Sequence, residues 1–135
     1  MESYTADAVS MLVYLVDALP HAADRVFAEA EAGEAVIQAP STALAEVLYS
    51  VSHDTSIRGV SLAGTPDDAR RALVEDGPVS VAPVDNAALT EYAQVESEFS
   101  IHDGLIVASH RARGTDAIIT TDSVIADADY PIVWD

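Results

Sequence analysis

Residues 116–122 read Asp-Ala-Ile-Ile-Thr-Thr-Asp, and this stretch decides the fold class. Ala117 to Thr120 form a short apolar run rich in β-branched side chains, closed by polar residues at both ends. That is how a strand covered on both faces reads. Just before it, Ile101-His102-Asp103 leads into a helix running to about Arg113, which Gly114 terminates. Just after it, Asp122–Ala128 predicts a short turn of helix and Tyr130–Trp134 a last strand. The same alternation continues toward the N-terminus. Val79–Ala82 predicts a strand, followed by a helix capped by Asp85 and reaching about Glu98. Thr65-Pro66-Asp67-Asp68 opens a helix to about Glu75, which Gly77-Pro78 breaks. Pro40–Ser52 predicts a helix with Leu44, Val47, Leu48 and Val51 at i, i+3, i+4 and i+7. Ala35–Gln38 and Ser3–Ala6 read as strands, His21–Ala32 as a helix ended by Gly33, and Val9–Leu19 as an apolar helical segment stopped by Pro20. Residues 53–65, polar and holding two glycines, read as a loop or weak helix. Strands alternating with helices call for an α/β three-layer sandwich, a parallel sheet with helices on both faces. The length of 135 residues fits one domain with one core.

Composition narrows the chemistry. Half of the residues are hydrophobic, so the chain can build a core, and with few aromatics that core rests on Val, Ile, Leu and Ala. There is no Cys, which removes disulfides and thiolate metal sites. No two of His21, His53, His102 and His110 have the i, i+4 spacing of a zinc helix. The opening residues MESYTADAVS lack the basic start of a secretory signal, and no apolar run is long enough to span a bilayer, so a cytoplasmic protein is expected. Acidic residues number 23 against 6 basic ones, all Arg, for a formal net charge of −17. Either this surface serves a basic partner, or the chain is adapted to a salt-rich cytoplasm, where the Debye length falls to about 3 Å at 1 M salt. Scattering of the acids along the whole chain favours the second reading and a halophilic source.

Four carboxylates stand out by position. Asp7 follows the first strand and Asp122 the Ala117–Thr120 strand, at the strand ends where open parallel sheets bind ligands. Asp103 begins an apolar helix, and Glu46 lies inside the Pro40–Ser52 helix. Carboxylates held together either bind a hard divalent cation or have raised pKa values. Such a cation can activate water and orient a phosphate. Taken singly, Asp7, Asp103 and Asp122 also read as helix N-caps. Glu46 points away from its helix's apolar stripe, on the side of Ala43, Ser50 and His53, and also reads as a solvated side chain.

In order and spacing, YTADAVSMLVYL with Asp7, APSTALAEVLYSV with Glu46, SIHDGLIVASHRARG with Asp103, and AIITTDSVI with Thr120 and Asp122 together resemble the PIN-domain family, in particular its VapC-like toxin ribonucleases. The resemblance covers nearly the whole chain. It implies a five-stranded parallel sheet flanked by helices. It implies a Mg²⁺- or Mn²⁺-dependent endoribonuclease in which water activated at the metal attacks phosphorus, leaving a 5′-phosphate and a 3′-hydroxyl. Asp7, Glu46 and Asp103 would then be the main metal-site acids, Asp122 would complete the site directly or through water, and Thr120 would orient a ligand or bond nearby backbone. The substrate would be RNA, the partner a protein antitoxin, and the assembly a homodimer. Family members carry Ser or Thr one or two positions after the first Asp. Here those positions are Ala8 and Val9, and the nearest hydroxyl is that of Ser10.

Other readings fail or compete. A receiver-type phosphorylation domain needs adjacent acids after its first strand and a Lys, and a haloacid-dehalogenase phosphatase needs Asp-x-Asp; neither pattern is present. The competing reading is a PIN fold without catalysis, serving as a binding or scaffold protein. Among the cations, Arg111 and Arg113 suit the C-terminal dipole of their helix. Arg58 is placed to touch phosphate, and Arg70 and Arg71 to face solvent or a partner. His102 adjoins Asp103 and reads either as a residue near the phosphate or, more commonly for such a position, as a loop histidine; Tyr130 and Trp134 read as packing residues.

Overall fold

The computed structural model describes residues 1–135. The chain runs β1 (Glu2–Ala6), α1 (Ala8–Leu15), α2 (His21–Glu31), β2 (Ala35–Pro40), α3 (Ser41–His53), β3 (Ser56–Ile57), β4 (Val60–Ser61), α4 (Pro66–Arg70), β5 (Val79–Ala82), α5 (Asn86–Val95), α6 (Ile101–Arg113), β6 (Ala117–Ile119), α7 (Ser123–Asp127) and β7 (Ile132–Val133). After α4 the chain continues through a wider π turn over Arg71–Glu75. Five strands form one sheet in the order β5-β2-β1-β6-β7, every pair parallel. The expected parallel sheet of about five strands, flanked by helices, is the observed one.

Tyr4 pairs with Ile37 on one side and Ala117 on the other, and Ala6 with Ile119, so β1 is the central strand. Its neighbours are buried because helices cover both faces. Ile37, Ile118 and Ile119 from the sheet pack with Met11, Phe27, Val47 and Val107 from the helices in one cluster. Each such aliphatic side chain removed from water contributes about 1.5–3 kcal/mol, which is why the β-branched runs sit at the centre. The helix α6 lies close against α5: a Cβ on Gly104 would stand 2.8 Å from Tyr92 Cε1. At the far end of α6, Arg111 donates to Glu91 and Gln94, and Arg113 to Asp85 and the Pro83 carbonyl. These two arginines therefore clamp α6 to α5, beyond any interaction with the helix dipole.

The boundaries differ most from the sequence reading in three places, beside smaller shifts such as α5 ending at Val95 rather than about Glu98 and the last strand spanning only Ile132–Val133 rather than Tyr130–Trp134. The first helix ends at Leu15 rather than running to Pro20, because Asp17 turns left-handed with φ 56°. Residues 56–61 form a β-hairpin, β3 with β4, instead of a loop or weak helix. Its two central residues, Arg58 (φ 51°) and Gly59 (φ 78°), both take the positive φ that a two-residue type I′ hairpin turn needs. Pro40 precedes α3 as its cap residue.

The topology fixes where a site can form. From β1 the chain moves outward to β2 and β5, then returns to β6 on the opposite side of β1. The order reverses between β1 and β6, and the crevice beyond their carboxyl ends is where open α/β sheets bind ligands. Asp7 and Thr120-Thr121-Asp122 emerge there.

Candidate active site

Asp7 is the N-cap of α1, with backbone in the extended region. Its Oδ1 accepts the Ser10 amide at 2.8 Å, and its Oδ2 accepts the Thr120 hydroxyl at 2.6 Å. The Ser10 hydroxyl donates to the Asp7 carbonyl at 2.9 Å. Thr120, wholly buried, in turn accepts the Asp122 amide at 3.0 Å. Asp122 caps α7 by accepting the Val124 amide at 2.8 Å. Thr120 is therefore a bracket that ties the carboxylate after β1 to the backbone after β6.

Asp103 is not a cap. Ser100 caps α6, its Oγ accepting the Asp103 amide at 3.4 Å, and Asp103 sits in the first turn. Its carboxyl is held above its usual value of 3.8 and pushed up to about 6. Burial is the largest cause; the hydrogen bond with Asp122 and the charges of Asp122 and Asp7 add to it, while Ser100 opposes it. Burial likewise pushes the Asp7 carboxyl up, against the lowering effect of its bonds from Thr120 and Ser10, and the charge of Asp122 raises it further.

Glu46 reaches the same place from α3. Its Oε1 lies 2.7 Å from His102 Nδ1, the residue next to Asp103. His102 is thus in the first turn of α6, not in a loop. Asp7, Glu46, His102 and Asp103, with Ala8, Val9 and Ile106, line one open cleft of about 80 Å³. Asp122 does not line the cleft but touches it through Asp103. Two larger hollows elsewhere on the molecule are mainly apolar and contain none of the four acids. The outward flank of α3 therefore faces the first turn of α6 across the cleft: three of the four expected acids, Asp7, Glu46 and Asp103, line it, Asp122 adjoins it only through Asp103, and Thr120 and Ser10 stand behind Asp7. Sequence reasoning missed the Glu46–His102 contact and the Ser100 cap. The Ser-x-x-Asp spacing of Ser100 and Asp103 could have revealed the latter.

The donor set is all oxygen apart from one imidazole, and no arginine enters the cleft. Carboxylates that raise one another's proton affinity are those a hard divalent cation would neutralise, so the residues fit Mg²⁺ or Mn²⁺. No three of them converge as a ready-made cage.

No family model and no curated protein sequence matches this chain. Solved structures do. The VapBC2 complex of Rickettsia felis, bound to a DNA fragment from its promoter, contains a chain that matches with a TM-score of 0.69 at 16% identity, over 98% of this chain and 99% of that one. VapC20 of Mycobacterium tuberculosis, a sarcin–ricin-loop-cleaving toxin, matches with a TM-score of 0.64 at 18% identity, over 94% and 95%. The DNA-bound VapBC of Salmonella typhimurium matches with a TM-score of 0.63 at 13% identity, over 98% and 97%. This chain therefore has, over almost its entire length, the PIN-domain fold of the VapC toxins.

Proposed function

We propose that this chain is a Mg²⁺- or Mn²⁺-dependent endoribonuclease that hydrolyses RNA phosphodiester bonds, formed by one PIN-like domain over 1–135. The observation that carries this reading is the cleft at the β1/β6 switch point. There Asp7, Glu46 and Asp103 face one space, Asp122 adjoins it, and burial and mutual repulsion raise the proton affinity of Asp7 and Asp103. Asp7, Glu46, Asp103 and Asp122 would hold the cation. When bound, it supplies charge neutralisation and Lewis acidity at the scissile phosphate. The remaining work belongs to the chain. Thr120 and the Ser10 amide fix the Asp7 carboxylate in one orientation, so no reorganisation is needed as the reaction proceeds. Hydroxyls at positions 8 and 9 are not needed for this, because Thr120 supplies the donor.

The likeness to VapC20 and to VapBC complexes supports a toxin neutralised by a protein antitoxin, and a homodimer acting in the cytoplasm is part of the same proposal. No helix is long and apolar enough to cross a membrane. The test is incubation with total RNA at high KCl in Mn²⁺, Mg²⁺ or EDTA, beside Asp7→Asn and Asp103→Asn. Discrete cuts that require metal and vanish in both variants support the nuclease. A second reading, a PIN fold that binds without cleaving, is favoured by the engagement of Glu46 with His102. A folded protein that cuts nothing under any metal or salt would select it.

A further inference from the structure

A cleft lined with carboxylates repels the RNA backbone, so affinity must come from elsewhere on the surface. The usual source is Lys and Arg neutralising phosphates. This chain has six such side chains, all Arg. Arg25 pairs with Glu29, Arg70 with Asp67 and Glu75, Arg71 with Asp67, Arg111 with Glu91, and Arg113 with Asp85. Arg58 alone lacks a carboxylate partner, and its guanidinium lies 5.4 Å over the Trp134 ring. Non-specific phosphate attraction is therefore nearly absent.

The other sequence-tolerant source of affinity is stacking of unpaired bases on aromatic rings. Tyr49 is the one Phe, Tyr or Trp of the chain that is exposed, at 64%. It does not lie loose. His53 stacks on it with ring centroids 3.8 Å apart and an interplanar angle of 8°. The His53 ring is itself pinned, its Nδ1 2.8 Å from the Tyr49 carbonyl and 2.9 Å from the Ser52 hydroxyl. Both rings stand on α3. At 100° per residue, Tyr49 and His53 fall within about 60° of Glu46 around the axis, and Tyr49 is about one turn, or 5 Å, further along it.

We propose that Tyr49 and His53 form a preorganised stacking platform for an unpaired RNA base flanking the phosphate held at the carboxylate cleft. The substrate is then a single-stranded segment or loop rather than a continuous duplex. This assignment rests on the nuclease reading for its choice of ligand. Because the rings are already ordered, little conformational entropy remains to be lost on binding. Because stacking replaces ion pairing, binding survives high salt.

The test measures binding of a labelled unpaired oligoribonucleotide, and of a duplex of the same composition, in EDTA and in Ca²⁺ over a range of KCl. Wild type is compared with Tyr49→Ala and Tyr49→Phe, and thermal unfolding verifies that each variant is folded. Tyr49→Ala weakens binding of the unpaired RNA by about 5- to 100-fold, the loss of one base–aromatic stack. Tyr49→Phe restores most of it, the duplex binds poorly throughout, and the salt slope stays far shallower than the about −0.7 per neutralised phosphate of an arginine-driven single-strand binder. The proposal is overturned if folded Tyr49→Ala binds as tightly as wild type, if the wild type binds no RNA in either arm, or if the variant loses only a protein partner. Cleavage is scored separately. Metal-dependent cutting that Tyr49→Ala leaves at wild-type KM removes the platform and keeps the nuclease. Tyr49-dependent RNA binding without cutting keeps the platform and removes the nuclease.

Discussion

Replacing Asp103 by Asn should make the metal-free protein more stable at neutral pH while abolishing the proposed nuclease activity. The Asp103 carboxyl is raised from 3.8 to about 6 by burial and by Asp122 and Asp7. The folded value lies above the unfolded one, so this group's contribution to stability is intact below about pH 4 and is lost as pH rises through about 6. Each tenfold change in proton affinity is worth about 1.4 kcal/mol, which sets a ceiling of about 3 kcal/mol for the penalty at pH 7. Asp103 remains partly exposed, and solvent screening reduces that figure to about 1 kcal/mol. Asn keeps the shape and can donate to Asp122 as the protonated acid does. Asp103→Asn should therefore raise the melting temperature in EDTA at pH 7 by about 3–5 °C. The assay is thermal unfolding at fixed high KCl, at pH 7 and pH 4, with EDTA or Mn²⁺. At pH 4 the two proteins should coincide. In Mn²⁺ at a hundred times its dissociation constant the wild type should gain about 2.7 kcal/mol, and the variant clearly less. A variant less stable than wild type at pH 7 in EDTA, or a difference unchanged at pH 4, would refute the electrostatic account of the cleft.

Three further outcomes follow from individual contacts. Thr120→Val, nearly isosteric, removes a donor to Asp7 and leaves the Asp122 amide without its acceptor; it should cost about 1–3 kcal/mol by urea denaturation and lower the proposed RNA cleavage, and an unchanged midpoint with undiminished cleavage would contradict the bracket. Gly104→Ala places a methyl 2.8 Å from Tyr92 Cε1, so despite about 1 kcal/mol of better helix propensity it should be net destabilising by about 1 kcal/mol, which the same denaturation reads. His110 is held below its ordinary value of 6.5 first by burial and then by Arg111, with Nδ1 bonded to Thr115; its folded value is depressed, so its contribution is present above about pH 6.5 and lost as pH falls below it, and the pH dependence of unfolding should flatten in that window in His110→Gln.

The local features of the site were legible before the fold was seen. Asp7 stands directly after a short strand and Asp122 three residues after another, and strand ends and helix caps are set by neighbouring residues. Asp103 was legible as an acid opening an apolar helix but not as a third-position residue behind Ser100, because Asp and Ser both cap well and nothing local chooses between them. Glu46 was ambiguous for a different reason. The stripe of Leu44, Val47, Leu48 and Val51 identifies the face of α3 turned to the core, and a helix's own periodicity is silent about what stands opposite its other flank.

By itself, then, the sequence determined the alternation of strands and helices, the parallel sheet that alternation requires, and the placing of two carboxylates at strand ends, since each depends on contacts within a few residues. Only the tertiary structure decided that α6 packs beside α3, bringing His102 within 2.7 Å of Glu46 and closing the cleft around Asp7 and Asp103. It also decided that Thr120 bonds Asp7, 113 positions away, that residues 56–61 turn back as a hairpin, and that five of six arginines are already paired. These are meetings of segments distant in the chain. Their geometry follows from how whole elements bury their apolar faces against one another, which no local pattern encodes.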